Sequence, residues 1–224
     1  MNKILFIDVE TGGLDAAKQS ILTFGACIWP FEPGSFNTCI EFAIRENDII
    51  VENEAMNVNK IDLENIKKYG MSPDTAVHHL YGWLRNHFDM KSSITLGGYN
   101  AQFDVSMLKR LFRLANREDI VSERASIFGH RIVDLASIAR FLKDAGKIPC
   151  EPKSNLVFEH FNCTPLIPHT ALHDAIAAAC CYDKMLKLLS PPAVASTFGE
   201  RYARFCGMVD GPSDLSGQHV YYRL

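Results

Sequence analysis

The sequence has no long apolar run, no Cys-x-x-Cys pair, no internal repeat and no low-complexity stretch. Because a membrane-spanning helix needs about 20 consecutive apolar residues, we expect no membrane segment. The apolar run near the N-terminus is short and reaches an acid at Asp8, unlike a secretory signal. The seven cysteines are odd in number and lack metal-ligand spacing, so we expect neither a zinc site nor a disulfide framework. This cysteine usage predicts a reducing, cytoplasmic location.

Positive charge is also scarce. The 224 residues include 23 Lys and Arg against 26 Asp and Glu, which gives a net charge of −3. This balance disfavours a long basic footprint on duplex nucleic acid. The same charge balance is compatible with a protein that binds only a few nucleotides and obtains positive charge from metal ions. Hydrophobic residues make up 47% and charged residues 22%, as in ordinary globular proteins, so we expect one large domain with its own core.

Apolar patterns predict an α/β domain over residues 1–190. Three runs near the N-terminus are typical of strands, and their short links predict an antiparallel meander. Two further strands and several amphipathic helices are predicted to follow, the first helix beginning at Ser72 with a proline in its first turn. The predicted strands cover residues 4–9, 21–29, 36–44, 93–97 and 132–133. The main predicted helices cover residues 72–88, 103–115, 134–142, 156–161 and 170–189.

Two prolines end the last predicted helix, so we expect residues 191–224 to form a C-terminal appendage. Phe198, Tyr202 and Phe205 lie at helical spacing within it. We therefore expect the appendage to be helical and docked, either on the chain's own core or against an oligomer partner.

Two acids, Asp8 and Glu10, follow the first buried run. Residues i and i+2 of a strand point to the same face, so we expect the two carboxylates side by side at a ligand-binding sheet edge. Like charges so close raise each other's pKa or require a counter-charge, and divalent metal is the obvious one. The pattern is weak alone, because Asp62 and Glu64 repeat it in a polar segment that we interpret as a solvated face.

Two later acids have chemical and structural interpretations. Asp104 opens a predicted helix, where the helix dipole favours an acid, so its position alone has a structural explanation. Asp174 lies in a helix that is apolar nearly all round, where an ionised carboxylate is costly unless paired or bound to metal. His169 precedes Thr170, a residue type favoured at helix N-caps, so we expect this histidine on a loop, free to lean over the same site.

The three stretches FIDVETGGL (residues 6–14), YNAQFD (99–104) and HTALHDA (169–175) occur in this order. Together they resemble the three exonuclease motifs of the DnaQ-like, DEDDh 3′–5′ exonucleases. The resemblance covers residues 4–190 and is similar in kind to polymerase proofreading subunits, ribonuclease T and oligoribonuclease. It implies a ribonuclease H-like three-layer fold, with a mixed five-stranded central sheet flanked by helices.

The resemblance implies a role for each chemical residue. Asp8, Glu10, Asp104 and Asp174 would hold two Mg²⁺ or Mn²⁺ ions, with Asp8 bridging them and Asp104 acting partly through water. His169 would deprotonate the attacking water, and histidine titrates near neutral pH as a general base should. Two cations about 3.5–4 Å apart stabilise both the entering and leaving oxygens of an in-line displacement, and carboxylate oxygens suit hard cations.

The same resemblance implies contacts to the terminal nucleotide, through backbone groups, an apolar wedge and a shaped pocket. Turn formation and core packing are the structural alternatives for these positions. The expected substrate-binding residues are Thr11, Gly12, Gly13, Leu14, Asn100 and Phe103.

Other basic groups near the motifs have two interpretations each. Arg110, Arg113 and Arg117 form a stripe on the predicted helix, which is either a solvated face or a rail for a phosphate backbone. His173 is a second imidazole beside Asp174, and we expect its ring to point away from that carboxylate.

We therefore predict a metal-dependent 3′–5′ exonuclease that acts on single-stranded 3′ ends and releases nucleoside 5′-monophosphates, with DNA favoured as substrate. RNA is the alternative, because no motif fixes contacts to the 2′-OH. A non-catalytic nucleic-acid-binding module on the same fold is a third hypothesis, against which all five chemical positions are filled. Whether the chain forms a homo-oligomer or joins a polymerase or repair partner is left open.

Overall fold

The computed structural model describes residues 3–31, 38–122 and 126–189. Among these residues, no helix has the length and apolar composition that crossing a membrane requires. The strands are β1 (Ile4–Thr11), β2 (Ile21–Trp29), β3 (Cys39–Ala43), β4 (Ile94–Gly98) and β5 (Phe128–Asp134). The helices are α1 (Asn53–Asn59), α2 (Leu63–Tyr69), α3 (Pro73–His87), α4 (Ala101–Leu114), α5 (Glu118–Val121), α6 (Leu135–Asp144), α7 (Ser154–His160) and α8 (Ala171–Leu189).

The five strands form one mixed sheet in the order β3-β2-β1-β4-β5. Strands β1, β2 and β3 pair antiparallel, whereas β4 runs parallel to β1 and β5 runs parallel to β4. The predicted meander and the predicted mixed five-stranded sheet are therefore confirmed. Because β1, β4 and β5 run in the same direction, their carboxyl ends meet at one edge, where open sheets bind ligands.

Two hydrophobic clusters cover the two faces of the sheet. Leu5 and Ile7 of β1 pack with α3 and α4 on one face, while Ile4 and Phe6 pack with α6, α7 and α8 on the other. This division follows from the pleat, which sends successive side chains of a strand to opposite faces. The result is the predicted arrangement of three layers, with helices on both sides of the sheet.

Some predicted boundaries were wrong at the edges of the sheet. Strand β5 begins at Phe128 rather than at residue 132, because His130 and Arg131 are exposed on this edge strand and hide its apolar pattern. Strand β3 is shorter than the predicted range 36–44, of which residues 36–37 lie outside the described part of the chain.

Three short helices were not predicted. Helix α1 buries none of its residues, and α2 buries only Ile66, so neither presents an apolar stripe in the sequence. Helix α5 is a single turn that buries Ile120. The predicted appendage, residues 191–224, lies outside the described residues.

The contact between α8 and the sheet depends on Gly25 in β2. A methyl group added there would lie 2.2 Å from the backbone nitrogen of Leu172 in α8. We expect Gly25→Ala to lower the free energy of unfolding by about 1–3 kcal/mol, the usual range for overpacking, because backbone atoms yield less than side-chain ends. The midpoint of urea unfolding measures the change.

Gly82→Ala in α3 is the matched control for Gly25→Ala. No atom lies within 4 Å of a methyl group at Gly82. Alanine is more stable than glycine inside a helix by about 0.5–1 kcal/mol, so this variant should raise the urea midpoint. If Gly25→Ala unfolded at the wild-type midpoint, the close contact would not limit the packing of α8.

Candidate active site

The carboxyl end of β1 carries the first two acids. Asp8 and Glu10 share the face of Phe6, so both point towards the layer that contains α8. Asp8 lies opposite Gly25 in the antiparallel ladder. Because Gly25 has no side chain, the first turn of α8 comes close to the sheet beside these acids.

Asp104 lies in the first turn of α4 and is buried. Strand β1 pairs with β4 only over residues 4–6, so further along its edge the backbone lacks a partner from β4. Asp104 Oδ1 fills this place by accepting a hydrogen bond from the backbone nitrogen of Val9 at 3.0 Å. Since Val9 stands between Asp8 and Glu10, this bond holds the third acid against the first two.

The start of α8 supplies the fourth acid and a histidine. One side-chain ligand atom from each of Glu10, His169 and Asp174 lies within 4.8 Å of the other two. His169 adopts a left-handed backbone conformation, with φ +58°, and precedes the helix, as expected for a loop residue. The charge of His169 and the backbone of His169 and Thr170 lower the pKa of the Asp174 carboxyl, against the effect of burial.

Burial raises the pKa of every member of this carboxylate cluster (Asp8, Glu10, Asp104 and Asp174), and like charge adds to the shift for all but Asp174. Burial and then the charges of the other three raise the pKa of Asp8 well above its ordinary value. Burial and Asp174 raise the pKa of Glu10 to about 7, and burial raises the pKa of Asp104. Burial also raises the pKa of Asp174, although His169 opposes this shift. Hard oxygen ligands in need of positive charge fit a divalent cation such as Mg²⁺ or Mn²⁺.

The turn after β1 holds the residues expected to contact substrate. Thr11 Oγ1 donates to the carbonyl oxygen of Gly13 at 2.8 Å, and the backbone nitrogen of Gly12 donates to the carbonyl oxygen of Ser20. A methyl group at Gly12 would lie 2.3 Å from the carbonyl oxygen of Ile50, so glycine is required there. Beyond this fixed turn the side chain of Leu14 is 85% exposed, as a wedge against a base would need to be.

The two expected substrate residues on the other side of β1 lie around the start of α4. Asn100 is the N-cap residue, with φ +55°, and its exposed side chain makes no capping hydrogen bond. Phe103 is half-buried against the core that α3 and α4 share. Both residues are thus near Asp104 in the chain, and their contact with substrate stays a prediction.

Supporting contacts around the turn had no signal in the sequence. Asn59 Nδ2 donates to the carbonyl oxygen of Thr11 at 3.0 Å. The backbone nitrogen of Glu52 donates to the carbonyl oxygen of Gly12 at 2.6 Å. Gln19 Nε2 also donates to Glu52 Oε1 at 2.8 Å. Glu52 and Asn59 flank or belong to α1, which carries no apolar stripe, and Gln19 lies in the loop between β1 and β2, so the sequence pattern did not reveal them.

Arg110 does not belong to the solvated stripe or phosphate rail considered from the sequence. Its guanidinium donates to the buried Glu46 carboxylate at 2.6 Å and to the carbonyl oxygen of Ala17 at 3.2 Å. Glu46 also accepts from the backbone nitrogen of Ile21. The ion pair therefore ties α4 to the loop between β1 and β2. Arg117 pairs with Asp119 on the surface.

His173, Asp62 and Glu64 are the remaining sequence candidates. His173 Nδ1 is buried and has no hydrogen-bond partner among the described residues, and His173 lowers the pKa of Asp174, so the direction of its ring stays a prediction. Asp62 and Glu64 are exposed, as expected. Asp62 nevertheless has a structural role, because its carboxylate accepts from the Glu64 nitrogen and caps α2.

Comparison with known sequences decides the family. The sequence model of the RNase_T exonuclease family matches residues 5–182. The chain belongs to the RNase_T exonuclease family. This match confirms the resemblance that the three motifs indicated, and its span contains the carboxylate cluster and His169.

Relatives of this exonuclease family chain share part of their length with it. The 3′-5′ DNA exonuclease Cap18 of Escherichia coli is 32% identical over 108 residues, which are 48% of this chain and 56% of that protein. Exonuclease I from Methylocaldum szegediense has a TM-score of 0.67 at 15% identity, over 92% of this chain and 44% of its own. E. coli Exonuclease I in complex with a dT13 oligonucleotide has a TM-score of 0.63 at 14% identity, over 92% of this chain and 44% of its own. The chain therefore spans about half the length of these proteins, and the predicted ribonuclease H-like fold is confirmed.

Metal-free protein should lose stability as the pH rises. The carboxyl pKa values of the cluster are higher in the folded state than the ordinary value near 4. The folded chain therefore binds extra protons, and this stabilisation is present below about pH 4 and lost as the pH rises towards about 8. Asp104→Asn removes one charge and keeps an acceptor for Val9. In EDTA, the unfolding temperature of Asp104→Asn should exceed that of wild type at pH 8. At pH 5 this difference in unfolding temperature should be smaller.

Asp62→Asn is the control for this measurement, because it removes an exposed carboxylate and keeps an oxygen that can cap α2. We expect a much smaller difference from wild type. Mn²⁺ should stabilise wild type at pH 8, by about 2.7 kcal/mol at a hundredfold excess over its Kd, and should stabilise Asp104→Asn less. A wild-type protein that unfolds at the same temperature as Asp104→Asn at both pH values would argue against repulsion within the cluster.

Proposed function

We propose that the chain is a metal-dependent 3′–5′ exonuclease that hydrolyses phosphodiester bonds at single-stranded 3′ ends and releases nucleoside 5′-monophosphates. The observation that carries this proposal is the convergence of Glu10, His169 and Asp174 beside the half-buried Asp8 and the buried Asp104. Membership of an exonuclease family supports the same chemistry. A substrate phosphate placed at this sheet edge meets both the carboxylate cluster and an exposed imidazole.

The carboxylate cluster would hold two divalent cations, Mg²⁺ or Mn²⁺. When bound, such ions supply charge stabilisation for the entering and leaving oxygens of an in-line displacement. The backbone hydrogen bond from Val9 fixes the orientation of Asp104, and the backbone of His169 and Thr170 lowers the pKa of Asp174. The protein thus presents Asp104 in a set geometry before any cation arrives.

His169 is the proposed general base. It lies outside α8 and its side chain is exposed, so a water molecule and a 3′-terminal phosphate both have access to its ring. One of its ring nitrogens lies within 4.8 Å of a carboxylate oxygen of Glu10 and of Asp174, so the ring stands beside the carboxylate cluster.

The substrate end would rest on the turn after β1. The exposed Leu14 supplies an apolar surface for the terminal base, and the rigid backbone of Thr11, Gly12 and Gly13 supplies polar groups. Arg110 is paired with Glu46 and so does not neutralise a substrate phosphate, and the net charge of the chain is −3. We therefore infer a footprint of a few nucleotides, with a weak dependence of binding on salt.

DNA is the favoured substrate, because a relative that shares 32% identity is named as a DNA exonuclease. A structural neighbour binds the DNA oligonucleotide dT13, which supports a single-stranded substrate. RNA is the second candidate, and the relative cleavage rates of matched strands separate the two.

The test is digestion of single strands labelled at the 5′ end, as DNA and as RNA of the same sequence. With Mg²⁺ we expect stepwise shortening from the 3′ end, and with excess EDTA we expect none, because the ligands are oxygen atoms suited to divalent cations. A 3′-phosphoryl block should slow digestion, whereas a 5′ block should not. The reverse pattern, or full activity in EDTA, would refute the proposal.

Asp8→Asn should abolish shortening, because it removes the acid that all three others surround. Asp62→Asn is its control, since the same change at an exposed Asp-x-Glu pattern should leave the rate near that of wild type. Nucleic-acid binding without cleavage by wild-type protein in Mg²⁺ would instead favour the non-catalytic module.

The two histidines should differ in their effect on turnover. His169→Ala should lower kcat by about 10²–10⁴-fold, the usual contribution of a general base, and should keep metal-dependent stabilisation because the four acids remain. Its profile of kcat against pH should lose the acidic limb, where protonation of the base stops turnover. His173→Ala, the control, should keep that limb and most activity. Loss of the limb in His173→Ala would reassign the base to the other ring.

A further inference from the structure

An apolar groove lies between α6 and α8, on the face of the sheet that carries α8. It has a volume of about 370 Å³. Its rim residue Phe141 is 62% exposed, and Leu189, the last residue of α8, is 54% exposed. The residues that line it are Ser137, Ile138, Phe141, Tyr182, Met185, Leu186 and Leu189.

The groove is separate from the candidate active site. Asp174 lies in the first turn of α8, and Leu189 is about 22 Å further along the helix at 1.5 Å per residue. All of the lining residues except Ser137 are apolar or aromatic, so the groove offers no chemistry for a phosphate or a cation. A concave apolar strip between two helices is instead the shape that a third helix fills.

The chain itself continues directly from this groove. Residues 190–224 follow Leu189 and lie outside the described part of the chain. Five of them are spaced for one helical face, because at 100° per residue they fall within about 80° of one another. These five are Val194, Phe198, Tyr202, Phe205 and Val209.

We propose that residues 194–209 of the same chain pack into the groove between α6 and α8 as an amphipathic helix. The apolar stripe of the segment would cover Phe141 and Leu189, and Glu200 and Arg204, on the opposite face, would remain in water. The segment and the groove are complementary, because the segment would present an apolar stripe and the groove between α6 and α8 is apolar.

Connection along the chain favours this segment over a second molecule. The sequence has Pro191 and Pro192 just after Leu189, and proline does not favour continuation of a helix. The nine residues from Leu189 to Phe198 reach up to about 30 Å when extended. That exceeds the length of α6, which is about 15 Å. A tether of this length keeps the segment at a local concentration in the millimolar range, above that of any free copy.

Photocrosslinking of the full-length chain tests the proposal. Phe141→p-benzoylphenylalanine places the probe on the rim of the groove, and the matched control places it at Leu166, which is 73% exposed in the loop before α8. After irradiation of dilute protein, we expect an intrachain adduct to residues 194–209 from the first probe and none from the second. Mass spectrometry of the monomer band identifies the adduct.

Other crosslinking results would overturn the proposal. An adduct that migrates as a dimer would assign the groove to a second copy of the chain. A monomer without any adduct to residues 194–209 would show that the segment does not cover the groove. Neither result depends on nuclease activity, so the proposed function is judged separately.

A double-mutant cycle gives an independent measurement. Phe141→Asp and Phe205→Asp, each in the full-length chain, should lower the midpoint of urea unfolding, and together they should lower it by less than the sum of the two shifts. Arg204→Ser is the matched control in the segment, and its shift should add to that of Phe141→Asp. Additive shifts for Phe141→Asp and Phe205→Asp would contradict direct contact between the two side chains.

Discussion

Repulsion among four carboxylates packed at one edge of the sheet is the constraint on which the rest of the site depends. Burial raises the pKa of all four acids, and neighbouring acids raise it further for Asp8, Glu10 and Asp104, so the folded chain holds them together against their own electrostatics. Such an arrangement lowers stability unless a cation joins it. The surrounding fold must therefore be rigid enough to keep the acids close when no cation is bound.

The fold supplies that rigidity through close backbone contacts. Gly25 lets the start of α8 approach β2 within a distance that a methyl group would not allow. Asp104 occupies the open edge of β1 and takes the hydrogen bond that a neighbouring strand would otherwise receive. Strand β1 and helices α4 and α8, which are distant in the chain, are thereby joined at one point. Each of them carries at least one acid of the cluster.

The acidic cluster and the buried arginine have different roles in this structure. Negative charge is concentrated where a cation is needed, while the ion pair of Arg110 and Glu46 withdraws a basic group from the surface. Because that arginine also holds Ala17, it stabilises the loop that leads away from the substrate turn. The protein thus uses one of its arginines for the geometry of the site rather than for contact with phosphate.

The sequence by itself determined the succession of strands and main helices in outline, the antiparallel meander, the five chemical residues as candidates and the family, because these depend on local periodicity and on short motifs. Only the tertiary structure decided how the acids meet, through the bond from Val9 to Asp104 and the gap at Gly25. It also revealed Glu46, Glu52 and Asn59, which support the site from segments without an apolar stripe. Periodicity records which residues are buried, whereas hydrogen bonds between distant segments depend on how the chain folds back, and no local pattern encodes them.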